Sequence, residues 1–96
     1  MKKIDIIKAL HLFKEENQKK YGIRSIGISG SAARDSLKEH SDIDVVVELQ
    51  DPELFNLIGI KQDLEERFHC PVDVIRYRKE MNRYLKHRID QEAVYA

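Results

Sequence analysis

Short apolar strand patterns alternate with helical patterns along the chain, and this alternation is the feature that most restricts its fold. Three runs, at residues 23–29, 43–49 and 72–77, are rich in Ile and Val, as buried strands are. Apolar residues at helical spacing occupy residues 4–20, 31–37, 54–68 and 79–95. The predicted order is α-β-α-β-α-β-α, which gives an α/β (α+β) fold with one small sheet and helices packed against it.

Turn and capping residues support these boundaries. Gly22 follows the first helical pattern, where a left-handed C-cap favours glycine. Asp51 and Pro52 are typical of a helix start, and Pro71 ends the helix that follows them. The apolar positions predicted to face the core from the helices are Ile4, Ile7, Leu10 and Phe13, with Ile6 beside them, and Leu54, Leu57, Ile58, Leu64, Phe68, Met81, Leu85 and Ile89.

Length and composition indicate one domain covering residues 1–96. The chain has 96 residues, of which 42% are hydrophobic, and no apolar run approaches the ~20 residues that a membrane span needs. The N-terminus lacks the apolar core of a signal peptide, so a cytoplasmic location is expected. Cys70 is the single cysteine, which excludes an intrachain disulfide.

Charge is balanced overall but uneven along the chain. The 17 basic and 17 acidic residues give a formal net charge of +0. Residues 25–73 carry 11 acidic and 4 basic side chains, whereas both ends carry more basic than acidic ones. An acidic centre suits divalent cations, and basic flanks suit a triphosphate, a nucleic acid or an acidic partner. The simplest interpretation of most of these charges is a solvated helix face.

A glycine-serine turn and two aspartates stand out within the acidic centre. Gly30 and Ser31 follow the first predicted strand, and Asp42 and Asp44 stand at the start of the second. Glycine lets the backbone approach phosphate oxygens closely, and the amides at a helix start favour anions. Alternate strand residues share one face and lie roughly 6–7 Å apart, so the two carboxylates can converge on one or two cations. The pattern therefore indicates a site for a metal-bound nucleotide.

The stretch from Gly30 to Arg34, followed by Asp42-Ile43-Asp44, resembles the signature of the DNA polymerase beta-like nucleotidyltransferase superfamily. It is most similar to the minimal nucleotidyltransferases, called MNT or MntA-like proteins, which are paired with HEPN-domain partners in many bacteria and archaea. A third aspartate of this signature matches Asp73, and the likeness runs from about residue 22 to the end of the chain. The resemblance implies the nucleotidyltransferase fold, with a three-stranded mixed sheet whose second and third strands are adjacent.

The resemblance also implies the roles of these residues. Asp42, Asp44 and Asp73 would be catalytic residues and ligands of two Mg²⁺ ions, with Mn²⁺ as an alternative. Gly30, Ser31 and Arg34 would bind the triphosphate of ATP, with Lys38 and His40 as weaker candidates. The reaction would be attack of an acceptor hydroxyl on the α-phosphate, and Asp73 would help to deprotonate that hydroxyl.

One residue departs from the family pattern. Members often carry glycine after the arginine, whereas Asp35 follows Arg34 here. A carboxylate at this position either weakens triphosphate binding or points into solvent.

The acceptor is the open part of the prediction. The chain has no room for a separate acceptor-binding domain, which favours a macromolecular acceptor, and the resemblance implies a tyrosine of a HEPN-type toxin that receives AMP. The chain would then be an antitoxin.

One alternative is a non-catalytic nucleotide-binding module that covers its partner. Another is transfer to a small acceptor such as an aminoglycoside, with a homo-oligomer completing the site. The non-catalytic module would use a basic segment with Arg76, Arg78, Lys79, Arg83, Lys86 and Arg88. Zero net charge disfavours a nucleic-acid partner for that segment.

Overall fold

The computed structural model describes residues 1–36, 42–51 and 53–96. Helices and strands alternate along these residues, as the sequence predicts. In chain order, the elements are α1 (Lys3–Tyr21), β1 (Ile23–Ser29), α2 (Gly30–Ala33), β2 (Ile43–Leu49), α3 (Leu54–Phe68), β3 (Val72–Arg76), α4 (Arg83–Glu92) and β4 (Val94–Tyr95). Leu37, Lys38, His40 and Pro52, which enter the predictions above, lie outside the described residues. Over the described ranges, no helix is both long and apolar enough to cross a membrane.

The strands form one mixed sheet in the order β3-β2-β1-β4. β1 is antiparallel to both of its neighbours, β2 and β4, whereas β2 and β3 are parallel. The predicted mixed sheet and the adjacency of the second and third strands are confirmed. The predicted number of three strands is one too low for the described part of the chain, because the C-terminal residues add β4 at an edge.

The last helix is shorter than predicted at both ends. Asn82 caps its start, where the Asn82 side chain accepts a hydrogen bond from the Leu85 amide at 3.1 Å. The helix ends at Glu92, and the chain then pairs with β1, where Val94 lies opposite Ile28 and Tyr95 opposite Gly27. Gly27 makes this close approach feasible, because an added Cβ would lie 2.9 Å from Tyr95 Cα. A two-residue strand is too short for periodicity to predict.

The two faces of the sheet have different roles. The core lies on one face, where α1 and α3 pack against alternate residues of the strands. Its members include Ile6, Leu10, Phe13, Ile26, Ile28, Val45, Val47, Ile60, Leu64, Phe68 and Val72. Because side chains alternate along a strand, Ser29, Asp44 and Asp73 point to the other face. That face is the one that α4 approaches through Ile89, which is buried.

The helical core positions were predicted in part. Leu10, Phe13, Leu64 and Phe68 are buried, as expected from periodicity. Ile4 is exposed because the buried stripe of α1 runs through Ile6, and two helical residues apart point to nearly opposite sides. The first turns of α3 are also exposed at Leu54 and Ile58, and the buried stripe of that helix begins at Ile60, which was not predicted.

Gly59, in the middle of α3, has a steric role that the sequence does not reveal. An added Cβ would lie 2.8 Å from Tyr21 Oη, and that hydroxyl donates a hydrogen bond to Asp63 Oδ2 at 2.6 Å. Burial, reinforced by Asp63, raises the pKa of Tyr21 to about 12, so the hydroxyl remains a donor even at alkaline pH, where a free tyrosine ionises.

We expect Gly59→Ala to lower the free energy of unfolding by about 1–3 kcal/mol, although alanine is the better helix former. The reason is that the new methyl group displaces the Tyr21 ring and strains its bond to Asp63. Chemical denaturation measures the change. Gln62→Ala, at an exposed position of the same helix, is the matched control and should alter stability by less than about 0.5 kcal/mol. Equal stability of Gly59→Ala and the unmodified protein would contradict this account.

Candidate active site

The turn from β1 into α2 has the geometry that the glycine-serine pattern predicts. Gly30 has φ 62°, in the left-handed region, and an added Cβ would collide with Asp44 Oδ2. Both the backbone conformation and the neighbouring carboxylate therefore require glycine. Ser31 follows at once, and the first amides of a helical turn have no acceptor within the turn. Gly30 and Ser31 thus stand beside Asp44, with backbone donors available for an anion.

Strand pairing brings the predicted carboxylates to one end of the sheet. Asp44 lies opposite Asp73 in the parallel β2–β3 pair and opposite Ser29 in the antiparallel β1–β2 pair. Asp42 precedes β2 by one residue and is exposed. Burial raises the pKa of Asp44, and the charges of Asp73 and Asp42 raise it further. The three carboxylates are therefore close enough to interact, and their mutual repulsion is unfavourable without a cation.

These carboxylates fit a metal that arrives with its nucleotide better than a preformed metal cage. Across residues 1–36, 42–51 and 53–96, no three acidic, His or Cys side chains are grouped closely enough to hold an ion on their own. Mg²⁺ is typically bound through one or two carboxylates together with substrate phosphates and water. Asp44 and Asp73, paired across adjacent strands beside the Gly30 turn, offer that type of partial ligand set.

A cleft of about 120 Å³ opens between this end of the sheet and α4. It is smaller than the roughly 300–1,000 Å³ of sites that enclose drug-sized ligands, so it suits a phosphate group better than a whole nucleotide. Arg88 and Glu92 of α4 reach the cleft, and sequence reasoning did not place either residue in the site. The residues that line it are Ser29, Gly30, Asp44, Ile75, Leu85, Arg88, Ile89 and Glu92.

Two arginines converge on Glu92 at the edge of the cleft. Arg34 Nη1 lies 3.1 Å from Glu92 Oε2, and Arg88 Nη2 lies 3.8 Å from the same oxygen. Both arginines also lower the pKa of Asp44, against the larger opposing effects of burial and the other aspartates. Arg34 therefore lies close enough to the carboxylates to act on Asp44, and its partner Glu92 lines the cleft. The sequence does contain a signal for Arg88 and Glu92, because they flank the apolar stripe of α4 at a spacing of four residues.

Asp35 has a structural role that neither initial interpretation included. Its φ is 55°, in the left-handed region, where glycine is the residue with the least strain. Aspartate tolerates this conformation better than most residues. Its Oδ1 accepts a hydrogen bond from the backbone amide of Lys3 at 3.2 Å, at the start of α1. Asp35 therefore caps α1, and its carboxylate is engaged away from the cleft.

The basic segment is not one continuous surface. Lys86 lies 3.4 Å from Asp90 Oδ2 and 5.6 Å from the centre of the Tyr77 ring, while Tyr77 Oη donates to Asp90 Oδ1 at 2.8 Å. These three residues hold α4 against the segment that follows β3. Because Arg88 turns instead toward the cleft, the segment contributes both to the fold and to the candidate active site.

The fold and the site together define a class of phosphate-transfer proteins in which aspartates on adjacent strands face a glycine turn. Residues 10–96 match the family model of the nucleotidyltransferase domain. The chain belongs to this family, and it is a minimal nucleotidyltransferase of the MntA-like type.

Individual relatives agree with this assignment. A protein of Methanocaldococcus jannaschii, provisionally named a protein adenylyltransferase, is 35% identical over 92 residues, which cover 95% of this chain and 94% of the relative. Protein adenylyltransferase MntA of Thermococcus cleftensis is 33% identical over 76 residues, covering 78% of this chain and 75% of the relative. One chain of the solved complex of a tri-AMPylated HEPN toxin of Shewanella oneidensis with an MNT antitoxin has the same fold as this protein. It matches with a TM-score of 0.71 and 15% identity, covering 97% of this chain and 70% of the other.

Proposed function

We propose that this enzyme transfers AMP from ATP to a hydroxyl group of a HEPN-type toxin and so acts as its antitoxin. The observation that carries the proposal is the pairing of Asp44 with Asp73 directly beside the Gly30 turn. The names of the two relatives and the AMP-modified toxin in the Shewanella complex support a protein acceptor. ATP as the donor suits a cytoplasmic location.

The residues around the cleft support nucleotide binding. The turn at Gly30 and Ser31 would hold phosphate oxygens through backbone amides and the serine hydroxyl. Arg34 and Arg88 would compensate the charge of the triphosphate, because both already act on the field at Asp44. Asp42, Asp44 and Asp73 would hold one or two Mg²⁺ ions, and a bound ion would supply charge neutralisation for the reacting phosphate.

The reaction itself is a displacement at the α-phosphorus atom. The acceptor oxygen forms a bond to this atom, the bond to the oxygen that bridges the α- and β-phosphorus atoms breaks, and pyrophosphate leaves. Asp73 is exposed, so it can accept the proton of an incoming hydroxyl. A tyrosine is the acceptor we propose, because the phenol loses its proton more readily than an aliphatic hydroxyl.

Mass spectrometry of the acceptor tests the proposal. The purified enzyme is incubated with ATP, Mg²⁺ and a HEPN-domain protein from the same genome, chosen by gene adjacency. We expect an AMP adduct on a tyrosine of that protein, and no adduct when EDTA is present from the start of the incubation. An unmodified HEPN protein that the enzyme still neutralises would favour the non-catalytic binding module. A modified aminoglycoside beside an unmodified protein would favour the small-acceptor alternative.

We expect Glu92→Gln to strengthen ATP binding by roughly 3- to 10-fold, about 0.7–1.4 kcal/mol. The substitution removes a negative charge that pairs with Arg34 and competes with phosphate for this arginine and for Arg88. Isothermal titration with ATP and Mg²⁺ measures the effect. Asp90→Asn, on the same helix but paired with Lys86 and Tyr77, is the matched control and should leave the affinity unchanged. Weaker binding by Glu92→Gln would contradict the assignment of these arginines to the phosphates.

A further inference from the structure

The first two turns of α3 expose three large apolar side chains to solvent. Leu54 is 68% exposed, Phe55 is 81% exposed and Ile58 is 40% exposed. Leu54 and Ile58 also line a groove between α3 and β3, together with Leu57, Lys61, Val74 and Asp73. We name this feature, including the neighbouring side chain of Phe55, the α3 groove.

The α3 groove meets the nucleotide cleft at the paired aspartates. Asp44 lines the cleft, and Asp73, its partner on the adjacent strand, lines the groove. Asp73 lies on the edge strand β3 and its side chain points to the face of the cleft, so a partner seated in the groove can reach round this edge to the Asp73 carboxylate. Phosphoryl transfer needs the attacking and leaving oxygens roughly in line at phosphorus, so donor and acceptor must enter from opposite directions. With the triphosphate at the Gly30 turn, the α3 groove offers the acceptor an approach from the β3 edge of the sheet.

The chemistry of the groove favours a protein segment over other acceptors. Lys61 is the cation among its lining residues, and its Nζ is already bonded to Val72 O at 2.6 Å and to Glu65 Oε2 at 3.2 Å. Over the described residues, the groove thus presents apolar walls without a cation free to bind phosphate, which disfavours a polyanionic nucleic acid. Exposed Leu, Ile and Phe side chains on one helix are typical of a surface that packs against apolar residues of a partner protein.

We propose that the α3 groove docks the acceptor protein through an apolar segment that flanks the modified hydroxyl residue and delivers its oxygen to Asp73. This inference rests on the proposed AMP transfer, and it adds the surface that selects the acceptor. It assigns to Leu54, Phe55 and Ile58 a role in acceptor binding and none in nucleotide binding.

Steady-state transfer to the HEPN protein at saturating ATP tests the docking surface. We expect the double variant Phe55→Ser, Ile58→Ser to lower kcat/KM for the acceptor about tenfold or more, mainly through KM, with the Kd for ATP unchanged. Both positions are exposed, so the fold should tolerate the change. Leu12→Ser, on α1 at a position that is 51% exposed, is the matched control and should behave like the unmodified protein.

The possible outcomes separate this inference from the proposed function. Loss of transfer by the α3 variant alone supports the docking surface, whereas unchanged kcat/KM, or an equal loss in Leu12→Ser, overturns it. Failure of the unmodified protein to label any HEPN protein overturns the proposed function, and the docking role falls with it. If the double variant does not fold, a photo-crosslinking amino acid at position 55 replaces it. Crosslinking to the HEPN protein from position 55 but not from position 12 supports the inference, and equal crosslinking overturns it.

Discussion

Replacing Asp44 with Asn should reduce AMP transfer by at least about 10³-fold, which corresponds to roughly 4 kcal/mol of lost transition-state stabilisation. Asp44 is half-buried and lies opposite Asp73, and its Oδ2 occupies the position that a side chain at Gly30 would need. No other carboxylate among the described residues has this position. Glu48→Gln is the matched control, because Glu48 lies on the same strand and the same face, four residues further on. Initial rates of transfer measure the effect. A comparable loss of transfer in Glu48→Gln would show that the rate depends on any change in β2 rather than on the Asp44 carboxylate.

The same substitution should raise the free energy of unfolding at neutral pH in the absence of metal. Burial and the charges of Asp73 and Asp42 raise the pKa of Asp44, so the folded protein holds the ionised form less readily than the unfolded chain does. The ionised carboxylate therefore destabilises the metal-free fold above its unfolded pKa, and asparagine removes this effect. A variant that is inactive but more stable is the signature of a functional charge cluster. An inactive and less stable variant would indicate a structural role instead.

Gly30→Ala should produce the second large effect, a loss of ATP binding and transfer of about 100-fold or more. Its φ of 62° disfavours any L side chain, and the new methyl group would also collide with Asp44 Oδ2. Either the turn or the carboxylate must move, and both belong to the site. The left-handed conformation alone costs about 1–2 kcal/mol of stability.

Gly22→Ala separates the conformational cost from the collision at the site. Gly22 has nearly the same φ, 65°, but the nearest atom to an added Cβ is Gln50 Cβ at an ordinary 3.7 Å. We expect Gly22→Ala to lose about 1 kcal/mol of stability while retaining ATP binding, as measured by denaturation and titration. If both variants bound ATP equally well, that result would contradict the inference that the backbone at Gly30 approaches the phosphates closely.

Much of the fold could be predicted because its signals are local. Ile- and Val-rich runs define β1, β2 and β3, and Gly22 ends α1 in the left-handed conformation that its position predicts. β4 could not be predicted, because two residues carry no periodicity and their pairing depends on the missing side chain of Gly27. The exposed start of α3 was also missed, since apolar spacing marks a face without saying how much of it the sheet covers.

The candidate site divides in the same way. Gly30, Ser31, Asp42 and Asp44 lie within 15 residues of one another and carry a recognisable motif. Arg88 and Glu92 are distant in sequence, and α4 brings them to the cleft through tertiary packing alone. Asp35 shows the reverse case, in which a departure from the motif is explained only by a contact with the start of α1.

The position of the transferred label in ATP tests the central claim most directly. The enzyme, Mg²⁺ and the HEPN protein are incubated with ATP labelled either at the α-phosphate or at the γ-phosphate. AMP transfer predicts that label from the α-position alone enters the HEPN protein, and that Asp44→Asn and Asp73→Asn abolish it. Label from the γ-position, or equal α-label with the Asp44→Asn variant, would contradict the account.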